Sequence, residues 1–560
     1  MVALTANPFF LDQEQRRWVE DTLAGMSVEE KIGQLFCETL WNCTSEESDV
    51  IFSEIKPGGV MFRPNTAEDL NKFTQIVQER SDIPLLIAAN FERGGNGGIS
   101  NGTYYGTQMQ VAAADSDACA EQLGIVAGRE GAALGFNWSF APIVDIDENY
   151  LSTVTNTRTY GSDPDKIIRM AKGYIEGVHR YNLAATIKHF PGDGKDFRDQ
   201  HKVATVNSCT VEEWDETFGK IYRELIAFGA DAVMAAHIMC PAYSKFLNPK
   251  LTDREILPAS LSRELLQGLL RDRLGFNGLI VSDDTHMTGF MTSMEREKAV
   301  PYCIAAGVDM FLFTINHSED VDYMRKGVRD GIITRERLDE AVTRILALKA
   351  KLRLYEKNNK QRVDFGQEIV GCEEHRTWAA ACADQAVTLV KDVNKLLPLS
   401  PEKYKRVLLI PLEGEKAGRY DNNPQYQKFR RSLENEGFQV FEMDLEEMPG
   451  IGKTGTGIRP LKEKYDLMLY FIGAHTGYRI NWQSIVCGEI PCYTKEIPTM
   501  AVSFNSPYML MDIPMVSTYI NAYSESDYTR QAVVEKIMGR SPFLGVSPVD
   551  PFCGMWDLPL

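Results

Sequence analysis

Short apolar runs alternate with longer amphipathic segments through the first two thirds of the chain. Short apolar runs bounded by polar residues are typical of buried parallel strands, whereas apolar residues repeating every three or four positions are typical of helices. The pattern predicts helices that include 165–180 and 263–274. It also predicts eight strands, at 32–36, 59–62, 85–89, 138–142, 184–187, 232–236, 279–281 and 310–313.

Eight strand-and-helix units over roughly 350 residues have the count and scale of a (β/α)8 TIM-type barrel. A doubly wound sheet is the alternative α/β fold. The barrel is favoured because reactive side chains come at or just beyond the ends of the predicted strands. In a barrel these carboxyl ends form one face, which carries the chemistry. The side chains in question are Asn90, Asp145, His189, His237 and Asp283.

A helix predicted at 334–354 closes this part of the chain, with Thr334 as its N-cap. We therefore expect a barrel domain over 1–354, a polar linker over 355–376 and a smaller α/β sandwich domain over 377–560. The second domain is expected to begin with a helix and to contain an open parallel sheet. Its predicted strands are 386–390, 407–412, 438–443, 467–472, 499–504 and 515–520.

The composition of the chain excludes two classes of binding partner. The 560 residues carry a net charge of −18, so nucleic acid and anionic membrane surfaces would be repelled. No apolar run is long enough to span a bilayer, and the N-terminal sequence lacks the apolar core of a signal peptide. The 11 cysteines are scattered and are expected to be reduced thiols. These features predict a cytoplasmic protein, and they leave its oligomeric state open.

The loop KHFPGDGKDFRDQH follows the fifth predicted strand and brings together the titratable groups Lys188, His189, Asp193, Asp199 and His201. An aspartate two residues before a histidine can accept the Nδ1 proton, which fixes the tautomer and leaves Nε2 to exchange protons. That arrangement is typical of a general acid/base. A solvated, charged surface loop is the alternative interpretation.

The strand GLIVS ends in two adjacent carboxylates, Asp283 and Asp284. A carboxylate at the barrel mouth is a candidate nucleophile or metal ligand, and the alternative is a pair that caps the next helix. Arg158, in the segment NTRTYGSDP, is a further candidate. Cationic groups at such a mouth can bind sugar hydroxyls, although Arg158 and Lys188 can equally form structural ion pairs.

The motif KHFPGDG-x4-DQH resembles the signature of the β-N-acetylglucosaminidase branch of glycoside hydrolase family 3, and IVSDD resembles the family's nucleophile strand. The segments FAPIVDI, TRTYGSDP, VMAAHI, PASLS and QAVTLVKD are similar to the family in the same order. The resemblance implies that Asp283 is the nucleophile and that His201 is the acid/base, oriented by Asp199. It also implies that Arg158, Lys188 and His189 hold the sugar, and that no metal or organic cofactor is needed.

One strand end departs from the family. The family has an aspartate in a VDQEGG-like segment, and this chain has Asn90 followed by Glu92 in ANFERGG. Both residues are expected to contact the sugar. Because an asparagine side chain is uncharged, the sugar preference is open.

The resemblance implies removal of terminal β-linked N-acetylglucosamine through a covalent glycosyl-aspartate, with retention of configuration. Three alternatives are a β-glucosidase, a non-catalytic sugar-binding protein and a phosphorylase. The phosphorylase is an alternative because a neutral histidine does not repel a phosphate acceptor.

Overall fold

The computed structural model describes residues 2–356, 366–412, 424–442, 454–473 and 489–560. Contacts within the chain divide it into two compact units. The first unit contains Met1–Tyr105, Ala120–Asn149 and Pro164–Arg376, and the second contains Gly106–Cys119, Tyr150–Asp163 and Thr377–Leu560. Two short segments from the predicted barrel domain therefore group with the second unit. Much of the predicted linker, 357–365, lies outside the described residues.

The first unit contains an eight-stranded parallel barrel, as predicted. Its strands are β1 (Phe36–Leu40), β2 (Gly59–Phe62), β3 (Leu86–Ala89), β4 (Trp138–Ser139), β5 (Ala184–Phe190), β6 (Ala232–Ala235), β7 (Leu279–Ser282) and β8 (Phe311–Leu312). Each strand pairs with the next along the chain, and β8 pairs with β1. A parallel bridge between Val281 and Met310 closes the ring between β7 and β8.

The predicted strand at 32–36 is wrong. Most of it lies in the helix Val28–Gln34, which begins with a capping box formed by Ser27 and Glu30. The strand itself begins at Phe36 and includes a buried glutamate, Glu38, that accepts a hydrogen bond from the Thr314 hydroxyl at 2.7 Å. This inward polar residue breaks the apolar run, so the sequence pattern placed the strand too early.

Helices surround the strands of the first unit. They are Gln13–Gly25, Val28–Gln34, Ser45–Ile51, Ala67–Glu79, Pro164–His179, Val211–Glu216, Phe218–Phe228, Pro241–Leu247, the π-helix Glu264–Arg273, Thr288–Met291, Arg296–Ala306, His317–Arg329 and Arg335–Lys351. The helices Asp117–Ala133 and Glu373–Ala386 each begin in one unit and continue into the other. The predicted closing helix does begin after the N-cap Thr334. None of the described helices is both long enough and apolar enough to cross a membrane.

The second unit is built on a six-stranded sheet. Its strands are β9 (Thr388–Asp392), β10 (Arg406–Leu412), β11 (Gln439–Glu442), β12 (Leu467–Ile472), β13 (Thr499–Ser503) and β14 (Thr518–Asn521). The described helices that belong wholly to this unit are Gln108–Ala114, Pro424–Asn435, Ile458–Lys464 and Asp527–Ile537. Alternate residues of β12 join two separate apolar clusters, so both faces of the sheet are buried, as in an α/β sandwich.

The order of strands in this sheet is β9-β14-β13-β12-β10-β11, and the prediction that it is parallel is wrong for β9. That strand pairs antiparallel with β14. It can do so because it lies at the edge and has only one neighbour, with a register shift between Leu389 and Lys391.

A buried ion cluster lies near the amino ends of β7 and β8. Asp309 is completely buried and contacts the guanidinium groups of Arg271 (2.7 Å), Arg337 (2.6 Å) and Arg344 (3.3 Å). Burial alone would raise the pKa of Asp309, but the three arginines hold it below its ordinary value. The carboxylate also accepts a hydrogen bond from the backbone N–H of Ile280 at 2.9 Å, so it joins the two strands.

Replacing Asp309 with alanine should therefore destabilise the barrel by about 3–5 kcal/mol. The buried guanidinium of Arg271 loses its carboxylate partner, and Arg337 and Arg344 keep Glu340 as their only carboxylate partner among the described residues. The measurement is the midpoint of urea unfolding of the full chain. Glu295→Ala, which breaks the exposed pair with Lys298, is the matched control and should leave the midpoint unchanged. Equal midpoints for the Asp309 variant and the unsubstituted chain would contradict the expectation.

Candidate active site

Asp283 lies immediately after β7 at the carboxyl end of the barrel, and it is 6% exposed. Its Oδ1 accepts a hydrogen bond from the backbone N–H of Asp284 at 2.8 Å. Its Oδ2 is buried and accepts no hydrogen bond from any described residue. Buried carboxylate oxygens are normally satisfied, so an unsatisfied one at a strand end marks a group held for another purpose.

Asp199 and His201 form the pair that the sequence predicts. The Nδ1 of His201 lies 2.6 Å from Oδ1 of Asp199, and the backbone N–H of His201 donates to the same oxygen at 2.8 Å. Partial burial would raise the pKa of Asp199, but the hydrogen bonds from His201 hold it below its ordinary value. An ionised Asp199 keeps the proton on Nδ1, which assigns proton exchange to Nε2. The imidazole is 52% exposed.

The loop that carries this pair is attached to the chain segment that follows Asp283. The backbone N–H of Thr288 donates to the carbonyl oxygen of His201 at 3.1 Å. The side-chain oxygen of Gln200 accepts from the backbone N–H of His237 at 3.1 Å, next to the end of β6. Gln200 is buried. These bonds hold Asp199 and His201 on the same face of the barrel as Asp283.

His237 is a buried residue behind this face. Its Nε2 donates to the carbonyl oxygen of Asp284 at 3.0 Å, so Nδ1 carries no proton and accepts from the Ser260 hydroxyl at 2.9 Å. Burial lowers the pKa of His237, although the charge of Asp283 opposes the shift. A neutral His237 therefore fixes the backbone beside Asp283 without adding a charge.

Three of the predicted sugar-binding residues lie together. The ammonium group of Lys188 is 2.8 Å from Oε1 of Glu92 and donates to Oδ1 of Asn90 at 3.3 Å. Lys188 is almost fully buried. The asparagine thus takes the acceptor role that an aspartate would have at this position, and Glu92 supplies the compensating charge.

His189 is held by Asp145, which the sequence places at a strand end but does not assign to the site. Asp145 is buried and accepts from the Nδ1 of His189 at 2.7 Å, from its backbone N–H at 3.0 Å and from the backbone N–H of Asp193 at 2.8 Å. Burial would raise the pKa of Asp145, but the interactions with His189 hold it below its ordinary value. Asp145 therefore fixes both the imidazole and the turn after it.

Arg158, the remaining predicted site residue, lies in the second unit, in the 3-10 turn Asn156–Arg158. Its guanidinium donates to the carbonyl oxygen of Val154 at 3.4 Å. Its role in the sugar subsite stays a prediction.

A second aspartate–histidine pair was not assigned from the sequence. The Nδ1 of His286 lies 2.6 Å from Oδ1 of Asp284, and the backbone N–H of His286 donates to that oxygen at 2.9 Å. This geometry repeats that of Asp199 and His201. The shared spacing, with one residue between aspartate and histidine, is the sequence signal that could have revealed it.

One group of potential metal ligands exists among the described residues. Ligand atoms of Cys372, Glu374 and His375 lie within 4.8 Å of one another. Two of the three have ion partners: Glu374 pairs with Arg129 at 2.6 Å, and His375 with the buried Glu130 at 2.8 Å. The group does not include any of the predicted site residues.

Comparison with known proteins agrees with this geometry. The family model described as the N-terminal domain of glycosyl hydrolase family 3 matches residues 27–348, which is more than half of the chain. The chain belongs to glycosyl hydrolase family 3. It is therefore a member of a family of glycosidases, as the resemblance implied.

Family 3 relatives match over the whole chain. A "Beta-N-acetylglucosaminidase/beta-glucosidase" from Cellulomonas fimi is 44% identical over 566 residues and covers 100% of both chains. The solved structure "Beta-glucoside phosphorylase BglX bound to 2FGlc" is 45% identical, covers 99% of each chain and has a TM-score of 0.93. A family 3 β-N-acetylglucosaminidase from Paenibacillus sp. str. FPU-7 is 23% identical, with a TM-score of 0.77 over 94% of this chain and 99% of the other, and it supports the fold.

The Asp284–His286 pair gives a prediction about protonation. The hydrogen bond to Asp284 raises the pKa of His286 above 6.5. The pair therefore stabilises the fold at pH values between the lowered pKa of Asp284 and the ordinary pKa of a histidine. This contribution is lost as the pH rises through the raised pKa of His286, and also as the pH falls through the pKa of Asp284. Asp284→Asn should lower the pKa of His286, as measured by NMR titration of selectively labelled histidine rings. An unchanged pKa would refute the proposed coupling.

Proposed function

We propose that this protein removes the terminal β-linked sugar from the non-reducing end of glycosides, with retention of configuration. The observation that supports this proposal best is the combination of a buried Asp283, whose Oδ2 has no donor among the described residues, with an aspartate–histidine pair hydrogen-bonded onto the same face. Retaining glycosidases need a nucleophile and an acid/base group of this kind.

In the first step, Oδ2 of Asp283 attacks the anomeric carbon of the sugar. The bond from that carbon to the leaving oxygen breaks, and Nε2 of a protonated His201 gives its proton to the departing oxygen. Asp199 stabilises the imidazolium before the transfer and fixes the ring orientation. The products of this step are a glycosyl ester on Asp283, a neutral His201 and a free leaving group.

In the second step, neutral His201 takes a proton from the acceptor as the acceptor oxygen attacks the anomeric carbon. The ester bond to Asp283 breaks, and its electron pair returns to the carboxylate. When the acceptor is water, the product is the free sugar. Two displacements at one carbon restore the original configuration.

Lys188, His189, Asn90 and Glu92 supply the hydroxyl contacts of the terminal sugar in this proposal. Their side chains are already held by one another or by Asp145, so little ordering is needed when a sugar binds. N-acetylglucosamine is the first sugar to test and glucose the second. A relative named for both sugars is 44% identical to this chain, and a solved structure named for β-glucosides is 45% identical.

Asp283→Ala should reduce kcat for an aryl β-glycoside by at least about 1,000-fold, because no ester can form. The measurement is release of the aryl group across a panel of sugars. A 2-deoxy-2-fluoro glycoside with a good leaving group should label the unsubstituted enzyme, and mass spectrometry of its peptides should place the label on Asp283.

His201→Ala is the companion variant. This variant should still form the ester with Asp283 from substrates whose leaving group needs no proton. It should lose most of its activity on substrates whose leaving group must be protonated. Near-normal turnover by Asp283→Ala, or a label on another residue, would refute the proposed mechanism.

Phosphate is a second candidate acceptor. The acid/base group is a histidine, which is neutral when the second step begins and does not repel an anion as a carboxylate would. Two solved structures at 44% and 45% identity are named as β-glucoside phosphorylases. In this version hydrogen phosphate attacks the anomeric carbon and the product is the sugar 1-phosphate.

Addition of inorganic phosphate should then convert the product from free sugar to sugar 1-phosphate and raise the turnover rate if the second step is limiting. The products are separated and quantified by NMR of carbon and phosphorus. Sulfate at the same ionic strength is the control and should change neither quantity. Release of free sugar alone at all phosphate concentrations would leave hydrolysis as the function.

A further inference from the structure

An exposed tryptophan stands at the mouth of the barrel, outside the residues assigned above. Trp41 follows β1 directly and is 56% exposed. The guanidinium carbon of Arg63, which follows β2, lies over its ring at 4.4 Å from the centroid. The side-chain amide of Asn65 donates to the carbonyl oxygen of Trp41 at 3.0 Å, and the backbone N–H of Arg63 donates to Leu40 at 2.9 Å. The aromatic face is therefore held in place at the rim.

Arg63 connects this tryptophan to the residue beside the nucleophile. Its guanidinium lies 3.8 Å from Oδ2 of Asp284, which is too long for a hydrogen bond. Its buried Nε has no hydrogen-bond partner in the described part of the chain. A guanidinium offers five N–H donors in a planar fork. The Arg63 side chain is 30% exposed, so its terminal N–H groups, and not the buried Nε, are the donors available beside the exposed aromatic face.

Asp284 and His286 complete the group. Asp284 supplies a carboxylate whose Oδ2 faces Arg63, and the ring of His286 is held against its Oδ1. The group therefore combines an aromatic face, a cationic donor, an anionic acceptor and an imidazole. A sugar can make all of these contacts at once, because its ring has an apolar face and a rim of hydroxyl groups that both donate and accept hydrogen bonds.

The chemistry favours a neutral polyhydroxylated ligand over an anion. Asp283 and Asp284 are neighbours in sequence, and the pKa of Asp284 lies below its ordinary value. Burial opposes that shift, and the interaction with His286 outweighs it. An anion at Arg63 would meet the Asp284 carboxylate, whereas a hydroxyl group can donate to it.

The position of this group indicates which part of the substrate it contacts. The proposed contacts of the terminal sugar lie just after β3 and near the carboxyl end of β5. Trp41 and Arg63 instead follow β1 and β2, and Arg63 reaches the end of β7 through Asp284. In the barrel, β8 lies between β1 and β7. Trp41, Arg63 and Asp284 therefore occupy one arc of the rim, and the residues at β3 and β5 occupy another. Asp283 lies beside the first arc, at the end of β7.

We propose that Trp41, Arg63 and Asp284 form a subsite for the sugar on the leaving-group side of the scissile bond. The ring of that sugar packs on Trp41 while its hydroxyls accept from Arg63 and donate to Asp284. This inference rests on the proposed function, and it makes the enzyme selective for saccharide leaving groups over small ones. These residues hold the departing sugar and do not take part in bond cleavage.

Trp41→Ala should lower kcat/KM for a β-linked disaccharide, either cellobiose or N,N′-diacetylchitobiose, by about tenfold. For the β-fluoride of the same sugar, whose leaving group is too small to reach Trp41, kcat/KM should change by less than about twofold. Trp41→Phe should recover most of the loss because it keeps an aromatic face. Arg63→Gln should give a similar selective loss.

The matched control is Trp556→Ala, which removes an 81% exposed tryptophan of the second unit and should change neither substrate's kcat/KM. An equal loss on disaccharide and fluoride, or no loss on either, would overturn the subsite while leaving the proposed reaction intact.

Binding measurements test the proposed subsite independently of the proposed reaction. In an Asp283→Ala background, calorimetry should show that Trp41→Ala weakens disaccharide binding about tenfold and leaves monosaccharide binding unchanged. Equal disaccharide affinities would overturn the subsite. If the unsubstituted enzyme cleaves no glycoside at all, the proposed function fails, and this binding comparison still decides whether Trp41 contacts a sugar.

Discussion

The parallel closure of the barrel is the constraint on which the site depends. All eight strands run in one direction, and the bridge between Val281 and Met310 joins the last two. Every strand therefore ends at the same rim, so side chains far apart in sequence become neighbours. The contact between Arg63 and Asp284 spans 221 positions (284 − 63), and it exists because β2 and β7 end on one face.

Most of the buried ionised side chains described at this rim have hydrogen-bond or ion partners. Asp145 accepts three hydrogen bonds, and Lys188 has both Glu92 and Asn90 as partners. Ionised groups in a poorly solvated site are costly unless they are satisfied, and satisfied groups hold a fixed geometry. Asp283 differs from these two residues, because its buried Oδ2 has no hydrogen-bond partner among the described residues.

The two aspartate–histidine pairs show how far a local motif determines chemistry. In both, the histidine N–H and Nδ1 bind one carboxylate oxygen two residues earlier, so the spacing alone produces the geometry. The two pairs differ in where each is attached. Asp199 and His201 lie on a loop bonded to the segment after Asp283, whereas Asp284 and His286 lie on that segment itself and face Arg63.

The sequence by itself determined the (β/α)8 barrel, the approximate positions of most of its strands and the candidate residues, because apolar periodicity and turn residues are local properties. It did not determine where β1 begins, since the buried Glu38 interrupts the apolar pattern, or the direction of β9, which depends on which edge of the sheet is free. Only the tertiary structure decided that Asp145 holds His189 and that Gln200 fastens the loop of Asp199 and His201 to His237. It also decided that Arg63 contacts both Trp41 and Asp284. Those contacts join residues at least 22 positions apart, and the closure of the barrel determines which residues meet.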